Sequence, residues 1–304
     1  WMRDEAEKCI GHLYPDVEVT KEMVKTRPDL KPYLGKKLKV IAWLWARTVK
    51  SPNPAFANIE VPLTSTFMIS SKAGKEAYVQ PVIEKGGYRF LVKVGKPQDQ
   101  DATKNGTKLA RANFVCLMSK SPISGDYIKG EGKAGRMGTR LMAVVAEGVR
   151  QRVYITPTKE MEEAAKSVKN IEKPELTISG STQYIGVKPY GMERFDQLFS
   201  SRQLKAMTTF TALVNGACAQ VKKDALTSTS PDSGLGLNEN GRGITAYSEA
   251  VAVYAAITVS RLANRGCTLA FWDNTSQKIQ QAFGRQALSM TWDYCESNPF
   301  SDSS

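Results

Sequence analysis

The sequence predicts an α+β protein in which a basic, β-rich insert is flanked by helical segments. Three observations carry this. The hydrophobic period changes from helical to alternating and back along the chain, the positive charge is confined to the middle, and Gly, Pro and Asn clusters fall where the period changes. The implied organisation is an N-terminal helical segment at 1–35, the basic insert at 36–156, and a helical domain at 157–304 containing an extended linker at 171–192.

In the first segment Ala6, Ile10 and Leu13 recur at helical spacing, and Pro15 and Pro28 close the pieces. Thr20 is placed to cap a second short helix reaching Thr26. The insert opens with an apolar, aromatic-rich run at 38–45, followed by strand patterns at 66–70, 76–83 and 88–94. Gly86-Gly87 between the last two signals a hairpin. The polar stretch 97–111 reads as a mobile loop, and further strands are expected at 113–117, 140–146 and 152–155. Beyond it, residues 158–168 place acids in a first helical turn, where the helix dipole favours them. Helices are then expected at 201–225, 244–265 and 276–296, with a Ser/Gly/Asn-rich loop at 228–243.

The net charge of +12 is informative once located. Residues 36–152 hold 21 Lys/Arg against 8 Asp/Glu, whereas the rest of the chain holds 21 against 22. A basic segment between neutral flanks suits a polyanion, of which nucleic acid is the commonest; the other reading is a solvated basic surface without a partner. The cations expected to make contact are Arg47, Lys72, Lys75, Arg89, Lys93, Arg136, Arg140, Arg150 and Arg152. Aromatics interleave with them, but strand alternation assigns Trp43, Trp45 and Phe90 to the core.

Several function classes are disfavoured. No apolar run is long and uncharged enough for a membrane span, and residues 244–264 are interrupted by Glu249 and Arg261. The first residues lack the basic-then-apolar order of a signal peptide, so a cytoplasmic setting is expected. Five widely spaced cysteines and the single His12 offer no zinc-knuckle spacing, so no metal site is assigned. His12 has no identifiable nucleophile partner, and Glu160, Glu162 and Glu163 belong to a helix start. Ser233-Gly234-Leu235-Gly236-Leu237 follows no apolar strand, so it does not read as a cofactor-binding turn, and no Walker loop occurs. No catalytic residue is therefore assigned.

A set of ordered motifs adds to this reading. They are Ile10-Gly11-His12-Leu13-Tyr14-Pro15, Trp45-Ala46-Arg47-Thr48-Val49, Pro52-Asn53-Pro54-Ala55 followed by Pro62-Leu63, and Tyr190-Gly191. They continue through Leu198-Phe199-Ser200-Ser201-Arg202-Gln203-Leu204, Phe283-Gly284-Arg285-Gln286-Ala287-Leu288 and Glu296-Ser297-Asn298-Pro299-Phe300-Ser301. In these the chain resembles adenine-specific DNA methylases that contain a zinc ribbon, over nearly its whole length but only the middle of such a protein. The resemblance implies DNA as a partner, S-adenosylmethionine as the cofactor of the complete enzyme but none in this chain, and methyltransferase catalytic segments supplied in cis or in trans. Restriction-modification or phage defence is the setting it suggests.

The chain departs from that family in two ways. Ser51 and Phe56 stand where the family flanks its Pro-Asn-Pro run with cysteines, and Cys116-Leu117-Met118-Ser119 stands where it has a second knuckle. The resemblance thus implies a degenerate zinc-ribbon-like insert held by packing, with Phe56 filling the space of the metal. The family's Asp-Pro-Pro-Tyr motif has no counterpart; Asn298-Pro299-Phe300 reads as a helix stop. Two functions remain open: the DNA-binding and scaffolding portion of an adenine-specific DNA methyltransferase, inactive alone, or a stand-alone nucleic-acid-binding or protein-interaction module derived from one.

Overall fold

A computed structural model describes residues 1–169, 171–225 and 232–302. The chain enters through helix α1 (Met2–Ile10), whose Ala6 and Ile10 are buried as their spacing requires. Strand β1 (Val17–Glu18) and strand β2 (Lys37–Leu38) pair antiparallel around helix α2 (Lys21–Thr26). The Thr20 hydroxyl caps α2 by accepting from the Met23 amide at 3.3 Å.

Strand β3 (Val40–Lys50) is the axis of the molecule, and every residue from Val40 to Val49 is buried. Strand β4 (Glu60–Leu63) follows, then β5 (Met68–Ser70), β6 (Ala77–Glu84) and β7 (Gly87–Val94). Helix α3 (Gln100–Asn105), strands β8 (Phe114–Val115) and β9 (Pro122–Ile123) and helix α4 (Gly125–Lys133) lead to the hairpin of β10 (Gly138–Gly148) and β11 (Gln151–Ile155). Helices α5 (Lys159–Lys166), α6 (Ser201–Ala225) and α7 (Ile244–Leu262) precede a short hairpin of β12 (Phe271–Asp273) and β13 (Lys278–Gln280). Strand β14 (Asp293–Ser297) comes last.

The main sheet is antiparallel in the order β11-β10-β3-β14, with β4 pairing the far end of β3. Alternation along β3 divides the core. Val40, Trp43 and Trp45 join α1, α6 and α7 on one face. Leu44 and Ala46 meet Val79, Phe90 and Val92 of the β5-β6-β7 sheet on the other. A helical layer and a second sheet thus cover opposite faces of one strand pair, which is why the run at 40–46 is apolar throughout rather than alternating. Two register shifts between β10 and β3, at Leu141/Ala143 and Val145/Ala146, keep both faces filled.

Arg202 and Glu296 lock these layers. They lie 2.9 Å apart and are 0% and 1% exposed. The guanidinium makes two bonds to the carboxylate through Nε and Nη2, while Nη1 donates to the Leu13 carbonyl at 2.8 Å. Its Cζ lies 4.1 Å from the Trp43 ring centroid and 4.9 Å from that of Tyr14. Glu296 also accepts from Trp45 Nε1 and Ser200 Oγ, both at 3.0 Å, so neither ion is left short of partners.

Several sequence expectations are corrected here. Residues 276–296 are not helical: they contain β13, an irregular stretch and β14, and β14 completes the sheet of the basic insert beside β3. Aromatic and β-branched residues at 291–294 favour the strand, and the buried Glu296 needs the sheet to reach Arg202. Asn298-Pro299-Phe300 accordingly ends a strand: Asn298 donates to the Val40 carbonyl at 2.7 Å and Phe300 packs against Tyr14. The segment 97–111 contains α3, capped by Asp99 on the Ala102 amide, instead of being wholly loop. Helix α4 went unforeseen because of its glycines, which are there for contact: a Cβ on Gly132 would sit 2.5 Å from the Tyr190 carbonyl oxygen. Part of the loop expected at 228–243, residues 228–231, lies outside the described residues; the rest holds a single 3-10 turn, Leu237–Glu239.

Replacing Glu296 with Ala is expected to destabilise the fold by about 3–5 kcal/mol in denaturant unfolding, because it strands a buried guanidinium. The double replacement Arg202→Met with Glu296→Leu should recover part of that loss. Equal stability of Glu296→Ala and wild type would show that the pair holds nothing together.

Candidate nucleic-acid interface

Three hairpin turns end at one place. The β5–β6 turn carries Lys72 and Lys75; the Lys75 amide donates to the Lys72 carbonyl at 2.9 Å and the Ser70 hydroxyl closes the loop on the Lys75 carbonyl at 2.6 Å. The β10–β11 turn carries Arg150 at φ +55°, a left-handed conformation that few L-residues adopt. Tyr33 braces it, its hydroxyl oxygen accepting from the Val149 amide at 3.1 Å and from Gln151 Nε2 at 3.3 Å. The β12–β13 turn brings Gln277, whose Nε2 donates to Ser70 Oγ at 2.7 Å, and whose carbonyl lies 3.5 Å from Arg152 Nε.

Lys72, Lys75, Arg150 and Arg152 together line an open groove of about 360 Å³, with Gln151, Ser276 and Gln277 as neutral donors. Glu147 also lines it, opposite Arg152 in the hairpin register, and takes a hydrogen bond from Ser301 Oγ at 2.7 Å. Four cations against one carboxylate make a net positive concavity that would bind phosphate oxygens. Ser276 and Gln277 were missed in the sequence because their segment was read as helix. The Gln277 turn at φ +53° is the feature that reading overlooked.

The other five expected contacts do not gather there. Arg47 is buried: Nε donates to the Thr291 carbonyl, Nη2 reaches Thr268, and the guanidinium lies 5.3 Å from the Tyr294 ring. Burial lowers its pKa to about 10. Its surface role is therefore corrected to a tie between β3 and the 268–291 segment. Arg136 is bound twice by Glu131, and Arg89 pairs with Glu84. Arg140 lies 3.4 Å from Glu162 and 5.3 Å from the Tyr88 ring. Lys93 is half-buried on β7. Trp43, Trp45 and Phe90 are core residues, as alternation implied.

Of the positions compared with zinc ligands, Ser51 Oγ lies 3.5 Å from Cys116 Sγ, and Cys116 is fully buried. Burial raises the thiol pKa, but hydrogen bonds from Ser119 and Ser51 outweigh it and hold the thiol below its ordinary value. Phe56 is half-buried in a 3-10 turn and belongs to none of the core clusters, contrary to the expectation that it fills the space of a metal. Among the described residues no group of three or more His, Cys, Asp or Glu side chains could hold a metal ion. Gly234 and Gly236 lie in a loop where Glu249 accepts the Leu237 amide at 2.6 Å.

A second cavity, of about 340 Å³, is lined by Phe271 and Trp272 of β12 together with Trp292, three methionines, Lys108 and Asp293. Asp293 accepts from the Ser65 amide at 3.0 Å, and burial raises its pKa from 3.8 to about 6. Among the described residues no helix is long and apolar enough to cross a membrane. No protein-family model, curated protein or solved structure matches the chain.

The raised carboxyl pKa has a consequence for stability. The unfolded chain releases the Asp293 proton near pH 4 while the fold retains it to about pH 6. Wild type should therefore lose up to about 3 kcal/mol relative to Asp293→Asn as pH rises from 4 to 6, then stay level. Parallel unfolding curves for the two proteins at pH 4, 5, 6 and 7 measure this; a constant difference would refute it.

Proposed function

We propose that this chain is the DNA-binding and scaffolding portion of an adenine-specific DNA methyltransferase and is not catalytic alone. The convergence of Lys72, Lys75, Arg150 and Arg152 on one groove is the observation that carries the DNA half. These residues come from two hairpins 75 or more positions apart in sequence, and a merely solvated basic surface would not require tight turns to present them side by side. The methylase half rests on the ordered motifs in the sequence. Two of those, Arg202 and Glu296, form the buried pair at the centre of the fold.

The scaffolding half is supported by α7. Tyr247, Tyr254 and Ile257, at helical spacing, are 62%, 73% and 59% exposed, and no charged residue interrupts the helix between Glu249 and Arg261. Helices apolar on every side are ordinarily covered on every side. In this reading the methyltransferase catalytic segments, in cis or in trans, cover the stripe. S-adenosylmethionine would be held by those segments, and calorimetry on this chain alone should show no binding of it.

Duplex DNA should bind with an affinity that falls with salt at a log–log slope of about −3 to −4, as neutralising about four phosphates requires. Charge reversal at Lys72, Lys75, Arg150 and Arg152 should abolish binding in a gel-shift titration. Reversal at Arg89 and Arg136, already paired with acids, should change it little. Binding untouched by the first set would sink the groove as the DNA site. Tyr254→Lys with Ile257→Lys should weaken association with separately expressed catalytic segments while leaving DNA binding intact; no change would remove the scaffolding role and leave the stand-alone module.

A further inference from the structure

The cavity beside the groove is built differently from it. Its wall is aromatic and sulfur-rich: Phe271 and Trp272 from β12, with Met68, Met142 and Met290. Trp272 Nε1 is committed to the Ile69 carbonyl at 2.7 Å, so that ring can offer only its face or edge. Phe271 is 46% exposed and makes no ring–ring contact among the described residues. Trp292 is held from behind by Phe114 and Tyr190, each with ring centroids 5.0 Å away. One carboxylate, Asp293, and one ammonium, Lys108, are the charged groups in the lining. Lys108 makes no ion pair among the described residues.

The same strand joins the two sites. Met68 and Ile69 of β5 line the cavity, and Lys72, just beyond the end of β5, lines the groove, a run of roughly 13 Å at strand rise. The β12–β13 hairpin likewise gives Phe271 and Trp272 to the cavity and Ser276 and Gln277 to the groove. A phosphate chain lying in the groove would therefore have a pocket with stacking surfaces within reach.

We infer that this cavity receives a single unpaired nucleobase bearing an exocyclic amine, from the strand whose phosphates occupy the groove. The inference rests on the nucleic-acid reading above. The pocket lies at the small end of ligand sites, with room for one nucleoside. Phe271 and Trp272 supply the flat surface on which bases of any sequence stack. The ionised Asp293 carboxylate only accepts hydrogen bonds, so it favours adenine, cytosine or guanine, whose exocyclic amines donate, over thymine, whose single N3–H donor is flanked by two carbonyl oxygens that repel an anion. Lys108 at the rim would hold the adjoining phosphate. Duplex DNA keeps its bases stacked, so the preferred ligand is a single strand or a duplex with an unpaired base.

The test uses the full chain and oligothymidylate carrying one central 2-aminopurine, cytosine or thymine. Binding should quench the 2-aminopurine fluorescence, and the cytosine oligomer should bind roughly tenfold tighter than all-thymine, about what one hydrogen bond to a charged acceptor contributes. Phe271→Ala should abolish the quenching; Asp293→Asn should keep it and erase the cytosine preference. Binding without quenching by wild type, lost on charge reversal of the groove but unaffected by Phe271→Ala and Asp293→Asn, would overturn the base pocket and leave the groove standing. Failure to bind any oligonucleotide at low salt would overturn the groove and the pocket with it.

Discussion

The buried Arg202–Glu296 pair is the constraint from which the rest of the structure follows. Burying two ions is favourable only if each is fully hydrogen-bonded, and here the partners come from four distant parts of the chain. Leu13 and Tyr14 belong to the N-terminal segment, Trp43 and Trp45 to β3, Ser200 and Arg202 to the start of α6, and Glu296 to β14. No subset of these can satisfy both ions. The N-terminal helix, the long helix and the last strand must therefore all be in place before the ions can leave water. The close approach of the guanidinium to the Trp43 and Tyr14 rings also fixes which face of β3 looks toward the helices.

Once that face is fixed, the opposite face of β3 must be covered by the small β5-β6-β7 sheet, and the hairpin turns of both sheets come out at one edge. Placement of the four groove cations is a consequence of this sheet-on-sheet packing. Tyr33 under the β10–β11 turn and Ser70 between Lys75 and Gln277 hold the turns at close range. The cations elsewhere on the insert are disposed otherwise. Arg136 and Arg89 pair with neighbouring acids, Arg140 faces Glu162 and Tyr88, and Arg47 is internal. Charge excess along the sequence therefore overstates the available positive surface, and only its concentration in the groove speaks for a polyanion.

Local signals were legible. The Thr20 cap, the acidic first turn of α5, the α1 spacing, the β6–β7 hairpin and the 25-residue α6 all follow from residues near one another in sequence. Misread features depend on distant partners. Residues 276–296 carry both helical and strand propensity, and pairing with β3, more than two hundred positions away, decides for the strand. Glycines lower the helical propensity of α4, and the backbone that Gly132 approaches, at Tyr190 and Gly191, is remote in sequence. At the site, cation identity was readable but grouping was not: four of nine expected contacts meet, and Arg47 was misjudged because β3 is covered on both faces. The aromatic pocket left no trace, since its walls come from six separated stretches of chain.

The central claim is that nucleic acid lies across the groove formed by the three turns. Lysine acylation footprinting read by mass spectrometry tests it most directly, because it maps where the polyanion sits in the unmodified chain. On binding a short DNA duplex, Lys72 and Lys75 should be protected, while Lys159 on α5 and Lys129 on α4 should react as in the free protein. Protection centred on Lys129 or Lys159, with Lys72 and Lys75 still reactive, would contradict the account.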